Sequence, residues 1–380
     1  MRIAFHAPLK PPDHPVPSGD RLVARLLMAA LARGGHDVEL AAHLRTWDGA
    51  GNAERQARIR QIGARMAARL VRRYRAAAPE ARPRAWFTYH LYHKAPDWLG
   101  PEVADALGIP YLVAEASVAG KQADGPWRIG HDAAKRALAR ADAVIALNEA
   151  DEAGVRPWVA DPARLHRLAP FLDPAPYLAA QTDRARHRAA LARNHRLDPA
   201  QPWLATVAMM RAGDKLRSYT ILAEALSRLT DRPWQLIVAG DGPARAEVER
   251  HVSALGPERV RFVGRLEEAA LPGIYAAADL YVWPAIREAF GMAFLEAQAS
   301  GCPVVAGKEG GVPGIVRDGE TGVLTPPGDA AAFANAVTWL LDDGALRQRM
   351  GANAVRRATD DHGIDSAARK LDSILRRVAP

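Results

Sequence analysis

The run Leu280-Tyr281-Val282-Trp283-Pro284-Ala285-Ile286-Arg287-Glu288-Ala289-Phe290-Gly291-Met292-Ala293-Phe294-Leu295-Glu296-Ala297 passes from a short apolar strand, through a proline and a charged loop, into a helical segment. A strand that ends in a loop opening a helix is the repeating unit of a parallel sheet, and such sheets place ligands outside the carboxyl ends of their strands. Gly291 lets the backbone come close to a ligand, and the free N–H groups at the helix start suit anionic oxygens. Two carboxylates flank this entry, Glu288 on the loop and Glu296 further into the helix. Carboxylates are good acceptors for the vicinal hydroxyls of a sugar. Standing alone, the same pattern is met by an acidic residue favouring a helix dipole and an incidental surface Glu.

The neighbouring sequence weighs against that reading. Ala239-Gly240-Asp241-Gly242-Pro243 ends the strand Trp234–Ala239 in a tight glycine turn. Met210-Arg211-Ala212-Gly213-Asp214-Lys215-Leu216-Arg217 follows the strand Trp203–Met209, and fixed cations there suit a diphosphate leaving group. Lys308-Glu309-Gly310-Gly311-Val312-Pro313 follows the strand Val304–Ala306. Four such turns on one expected sheet edge are more than coincidence supplies. The first half repeats the alternation: strand-like Arg2–Pro8, helical Gly19–Ala32, then His36–Ala42, Ala85–Thr88, Tyr111–Ala114 and Ala143–Leu147, each beside helical patterns. Two doubly wound α/β domains are expected, over 1–172 and 201–362, joined by a proline-bounded linker, 173–200, and followed by a terminal helix over 363–380.

The chain has 380 residues, enough for two cores. With 49% hydrophobic and 25% charged residues it reads as an ordinary globular protein. Its one cysteine, Cys302, excludes a disulfide framework and a multi-thiolate metal site, and is expected as a small buried residue. No apolar run is long enough to span a bilayer, and Met1–His6 reads as a strand rather than a signal peptide, so a cytoplasmic protein is expected. The net charge of +8 is uneven: residues 1–180 carry 25 Lys and Arg against 19 Asp and Glu. No nucleic-acid-binding pattern accompanies it. Instead, Glu54–Ala78 sets Arg55, Arg58, Arg60, Arg65, Arg69, Arg72, Arg73 and Arg75 beside an apolar stripe of Ile59, Ile62, Met66 and Leu70. That helix suits either a solvated outer layer or the anionic surface of a membrane's inner face.

Taken together, Glu288-x7-Glu296, Gly301-Cys302-Pro303-Val304-Val305, Gly310-Gly311-Val312-Pro313, Asp318-Gly319 and Thr321-Gly322 resemble the retaining GT-B glycosyltransferases of family four. The resemblance is dense from Trp203 to Leu341 and lies mostly at the level of the fold in the first half. It implies two Rossmann-like domains facing each other across a cleft, a nucleotide-diphosphate sugar as donor, retention of anomeric configuration, and no metal or other cofactor. By resemblance Arg211 and Lys215 contact the diphosphate and Glu296 the ribose. Glu288 and the backbone at Phe290, Gly291 and Met292 hold the transferred sugar. Gly240, Gly242 and Arg265, the last in Gly264-Arg265-Leu266, complete the donor pocket.

Three departures bear on the site. The basic pair Arg211–Lys215 is spaced slightly more narrowly than is usual in the family while Arg217 overshoots, so Lys215 is the preferred choice over Arg217. Ser18-Gly19-Asp20 offers Gly19 alone where relatives often carry a glycine pair. After Tyr111–Ala114, where many relatives have a histidine, the chain reads Glu115. Either Glu115 takes a polar role at that spot, or His90 or His93 does from the loop Thr88–Lys94, or transfer is impaired. Trp127 is expected in the core rather than against a sugar. The acceptor is expected to be a sugar or a lipid-linked intermediate. An epimerase or phosphorylase on the same fold, or a non-catalytic nucleotide-sugar binder, remains open from sequence.

Overall fold

Short runs of apolar, often β-branched residues become the strands, and the amphipathic stretches between them become covering helices. The computed structural model describes every residue except 17, 119, 289, 290 and 380, with backbone only at 121 and 150. The chain divides into two compact units. The first comprises Met1–Ala169 with Ile364–Pro380, and the second Pro170–Gly363.

In the first unit, β1 (Arg2–His6), β2 (Asp37–Leu40), β3 (Ala85–Tyr92), β4 (Tyr111–Ser117), β5 (Ala143–Ala146) and β6 (Leu165–Arg167) form a parallel sheet. Its order is β2-β1-β3-β4-β5-β6. The helices are α1 (Gly19–Arg33), α2 (Ala53–Ala76), α3 (Gly100–Leu107), α4 (Arg128–Arg140) and α5 (Glu149–Val155). A buried polar knot ties β1, β3, β4 and the start of α3. Asp97 accepts from Thr88 Oγ1 at 2.5 Å, Tyr111 Oη at 3.1 Å and the N–H groups of Leu99 and Gly100 at 2.9 Å each, with His6 Nδ1 at 3.2 Å. Burial opposes ionisation there, yet His6 and the donors prevail and hold the Asp97 carboxyl down at about 2.

The second unit opens with α6 (Ala175–Thr182) and α7 (Arg184–His195), which occupy the stretch expected as a linker. Arg184 and Arg188 both grip Asp279, at 2.7 and 3.0 Å, and the Trp203 N–H donates to the same carboxylate at 2.7 Å. The parallel sheet β7 (Trp203–Val207), β8 (Gln235–Ala239), β9 (Val260–Gly264), β10 (Leu280–Trp283), β11 (Val304–Gly307) and β12 (Gly322–Thr325) runs in the order β12-β11-β10-β7-β8-β9. Its helices are α8 (Asp214–Leu226), α9 (Arg245–Val252), α10 (Leu271–Ala277), α11 (Met292–Ala299), α12 (Val312–Ile315), α13 (Ala330–Asp342) and α14 (Gly344–Asp360).

The last helix, α15 (Ile364–Val378), belongs to the first unit. It buries Ala367, Ala368, Leu371, Ile374 and Leu375. Asp365 meets Arg33 at 2.7 Å, and Asp372 lies 3.3 Å from His36. Cys302 is fully buried at the turn after α11, and burial pushes its thiol up. No helix among the described residues is long and apolar enough to cross a membrane.

Candidate functional site

In the second unit the strand order reverses between β7 and β10, so the loops leaving their carboxyl ends diverge and open a crevice. One loop, 208–213, carries Arg211, which is exposed. The next residues begin α8, whose first turn turns the Lys215 ammonium onto the Glu288 carboxylate and over the Trp283 ring, 5.6 Å from its centroid. Arg217, two residues on, is exposed and points elsewhere on the helix. Of these two cations it is Lys215, the one preferred from sequence, that meets Glu288.

Gly240 and Gly242 act through what they lack. A Cβ at Gly240 would lie 2.0 Å from the Ala208 carbonyl oxygen, and one at Gly242 2.3 Å from that of Met210. With no side chain there, the two loops lie back to back. Met210 N–H donates to Asp241 O at 3.0 Å, and Ala244 N–H to Met210 O at 2.9 Å. The Arg211 backbone is set by this packing.

The Glu288 loop is strained and clamped. Ala285 (φ 60°) and Arg287 (φ 49°) are both left-handed without being glycine, at a cost on the order of 1–3 kcal/mol each. Between them the Ile286 N–H donates to Ser218 Oγ of α8 at 3.0 Å. The Gly311 N–H donates to Glu288 O at 3.0 Å, and a Cβ on Gly310 would fall 2.0 Å from that oxygen. Gly291, left-handed at φ 73°, caps α11, and Met292 begins it half-buried. Phe290, expected to line the donor pocket, lies outside the described residues, as does Ala289.

Glu296, in the second turn of α11, is buried and accepts a 2.7 Å hydrogen bond from Tyr275 Oη. Burial pushes its carboxyl up to about 7, with Glu268 adding to the shift and Tyr275 opposing it. Arg265 is exposed just beyond β9, where Gly264 O accepts from the Gly240 N–H at 2.9 Å. Neither Tyr275 nor Ser218 was singled out from sequence. Ser218 carried a usable signal, since it sits three residues after Lys215 and so on the same helical face.

The first unit brings its own candidates together. The stretch expected as a loop at Thr88–Lys94 is strand through Tyr92, and β4 runs past Ala114 to Ser117. The two pair with Tyr89 opposite Ala114 and Leu91 opposite Ala116. The rung between them holds His90 and Glu115, both left-handed at φ 64° and 53°. His90 Nδ1 lies 3.3 Å from Asp20 Oδ1 and 3.5 Å from Glu115 Oε1. Burial alone would lower the His90 pKa; Asp20 and Glu115 reverse this and raise it. Burial raises the Glu115 carboxyl, against His90. Alternatives in the sequence therefore prove to be neighbours. Asp20 follows the exposed Gly19 at the start of α1, where Ser18 Oγ accepts from the Arg21 N–H at 3.3 Å. Trp127 corrects its expectation of a core position: it is half-buried, with its indole N–H donating to Asp48 O at 2.8 Å and the Lys94 ammonium over its ring, polar partners that a fully apolar core would not supply. Among the described residues no three His, Cys, Asp or Glu side chains are grouped to hold a metal ion.

Residues 205–357 match the model of the glycosyl transferases group 1, and residues 18–170 that of the glycosyl transferase 4-like domain. The D-inositol 3-phosphate glycosyltransferase of Corynebacterium diphtheriae is 43% identical over 159 residues, 40% of this chain and 37% of that one. The alpha-D-kanosaminyltransferase of Streptomyces kanamyceticus is 32% identical over 252 residues, 65% and 63% of the two chains. The matches thus span between about one third and two thirds of these relatives' lengths. Anabaena Alr3699/HepE, solved in complex with UDP, shares the fold at a TM-score of 0.72 and 19% identity, over 99% of this chain and 100% of that one. Two matched domains, two six-stranded parallel sheets and a full-length structural likeness agree: the chain belongs to the GT-B glycosyltransferases of group 1, with a family-4-like first domain.

Proposed function

We propose that the chain is a retaining, metal-independent glycosyltransferase that moves a sugar from a nucleotide-diphosphate sugar to an acceptor hydroxyl. The observation that carries this reading is the convergence of Lys215 and Glu288 at the switch point of the second sheet, with the exposed Arg211 on the loop that leads into α8. In this reading Arg211 and Lys215 hold the diphosphate and take up its developing charge in place of a divalent cation. Glu296 accepts from the ribose hydroxyls. Glu288, with the backbone at Gly291 and Met292, orients the transferred sugar, and the Gly264–Arg265 turn lines the base. The bond from the sugar's anomeric carbon to the diphosphate oxygen breaks, and the acceptor oxygen bonds to that carbon on the same face. The acceptor's proton passes to the departing diphosphate, so neither Glu is needed as a nucleophile. The UDP complex of the Anabaena protein supports a nucleotide-diphosphate ligand for this fold.

The test is sugar transfer by Glu288→Ala and Arg211→Ala. Each is expected to lower turnover by about 10²–10³-fold, Arg211→Ala by losing a group aimed at developing charge and Glu288→Ala by losing the orientation of the transferred sugar. Near wild-type turnover in both variants sinks the assignment.

The acceptor side extends to a surface. Arg58, Arg65, Arg69 and Arg72 are all exposed on α2 at steps of seven, four and three residues, which places them on one face of the helix. That face supports an acceptor presented at an anionic membrane. Reversing Arg58, Arg65 and Arg69 to Glu is expected to abolish co-sedimentation with phosphatidylserine vesicles while leaving the unfolding midpoint in place. Unchanged sedimentation removes the membrane from the proposal.

A further inference from the structure

We infer that the His90–Glu115 rung of the first unit is a subsite selecting an acceptor that carries a primary ammonium group, as on an amino sugar or an aminocyclitol. The inference deepens the glycosyltransferase reading and rests on it.

The geometry begins with the backbone. Regular parallel pairing would continue through His90 and Glu115, as it does on either side of them. Instead both residues turn left-handed at the same rung. Neither is a glycine, so the strain is incurred twice where one ladder position would have been free of it. The result is that an imidazole and a carboxyl leave the sheet's alternation and meet, with Asp20 reaching them from the start of α1. Asp151, in the first turn of α5 and held by the Asn148 side chain, adds a third negative charge acting on His90. The Tyr89 hydroxyl faces Glu115 as well.

The cluster is incompletely satisfied. The Glu115 side chain is 9% exposed, and its Oε2 has no hydrogen-bond donor among the described residues. A buried carboxyl oxygen without a donor is costly, so the site calls for a donor from outside. Charge narrows the class. Among the described residues the carboxyls of Asp20, Glu115 and Asp151 all act on this one imidazole, and Lys10 acts on Asp20. Burial raises the Glu115 and Asp151 carboxyls, and the charge of His90 opposes the shift at both. A neutral hydroxyl would supply a hydrogen bond and no charge. A primary ammonium supplies both, from a compact group with three N–H donors.

The test uses the full chain and three probes, titrated while the His90 ring resonances are followed by NMR: glucosamine, glucose of the same size, and the bulkier neutral N-acetylglucosamine. The wild type is expected to bind glucosamine about tenfold more tightly than either neutral sugar, equivalent to about 1.4 kcal/mol. Glu115→Gln, which keeps shape and loses charge, is expected to bring that ratio close to one without lowering the unfolding midpoint. Asp151→Asn, on a different element, is expected to reduce it in the same direction. Equal affinity for the three sugars, a ratio untouched by Glu115→Gln, or no His90 response to any of them overturns the inference. UDP is titrated against the same samples. UDP binding that survives in Glu115→Gln and fails in Arg211→Ala, together with an absent amine preference, leaves the donor reading standing and removes only this one.

Discussion

At Glu296 a carboxyl group lies inside the second unit with a tyrosine hydroxyl on one oxygen, and burial lifts it to about 7. An unfolded Glu titrates near 4.5. Below that value both states are protonated and the stabilisation of the buried neutral acid is fully present. As pH rises through about 7 the folded state must ionise too, and the stabilisation is lost. The residue therefore contributes a decline in stability between about pH 4.5 and 7, amounting to about 3 kcal/mol. Glu296→Gln is expected to flatten that part of the profile, which urea unfolding at a series of pH values would measure. An unaltered slope would mean the carboxyl is already ionised in the fold. Neighbouring Glu288 is built the other way, with a cation on it and two backbone clamps around it. One carboxyl thus faces a fixed cation, and the other a tyrosine hydroxyl.

The loop 284–291 is the element that makes this contrast possible. Among its described residues the two left-handed ones that are not glycine, Ala285 and Arg287, are held by one side chain and one glycine turn, and Ser218 is the more easily tested of the two. Ser218→Ala leaves the buried Ile286 N–H without an acceptor, at a cost of about 1–3 kcal/mol. A lower urea midpoint is expected, with a fall in sugar transfer beyond that explained by the unfolded fraction. Full activity would show that the strain needs no such clamp. Much of this element was legible beforehand. The strand–loop–helix grammar, the glycine turns and the paired carboxylates could all be read from residue type and spacing. What escaped were short edge strands, β6 and β12, of three and four residues, too brief for a period to show. Contacts that join distant stretches also escaped, such as Ser218 with Ile286 and Asp20 with His90. The rung at His90 and Glu115 escaped for a different reason: neither residue type announces a left-handed backbone, and only the ladder on both sides reveals it.

At the level of the whole molecule, each unit has its own sheet and core, and the first draws its last helix from the far end of the sequence. Leu371 and Leu375 of α15 are buried against that unit. Leu375→Ala is expected to destabilise it by about 2–5 kcal/mol, the range for emptying a buried leucine. Calorimetry should then show the transition of the first unit moving down in temperature, while UDP raises only that of the second. A single transition that shifts as one with both perturbations would contradict independent cores. The surfaces differ as well, with most of the excess positive charge carried by residues 1–180.

Cys302 gives the molecule a built-in silence. It is the sole thiol of 380 residues, wholly enclosed and hard to deprotonate, so a maleimide or iodoacetamide reagent finds nothing to alkylate while the second lobe stays shut. Any cysteine engineered onto the exterior can carry a fluorophore alone, with no background to subtract and no native residue to delete. Slow modification of the wild-type chain, in turn, would clock the opening of that lobe directly.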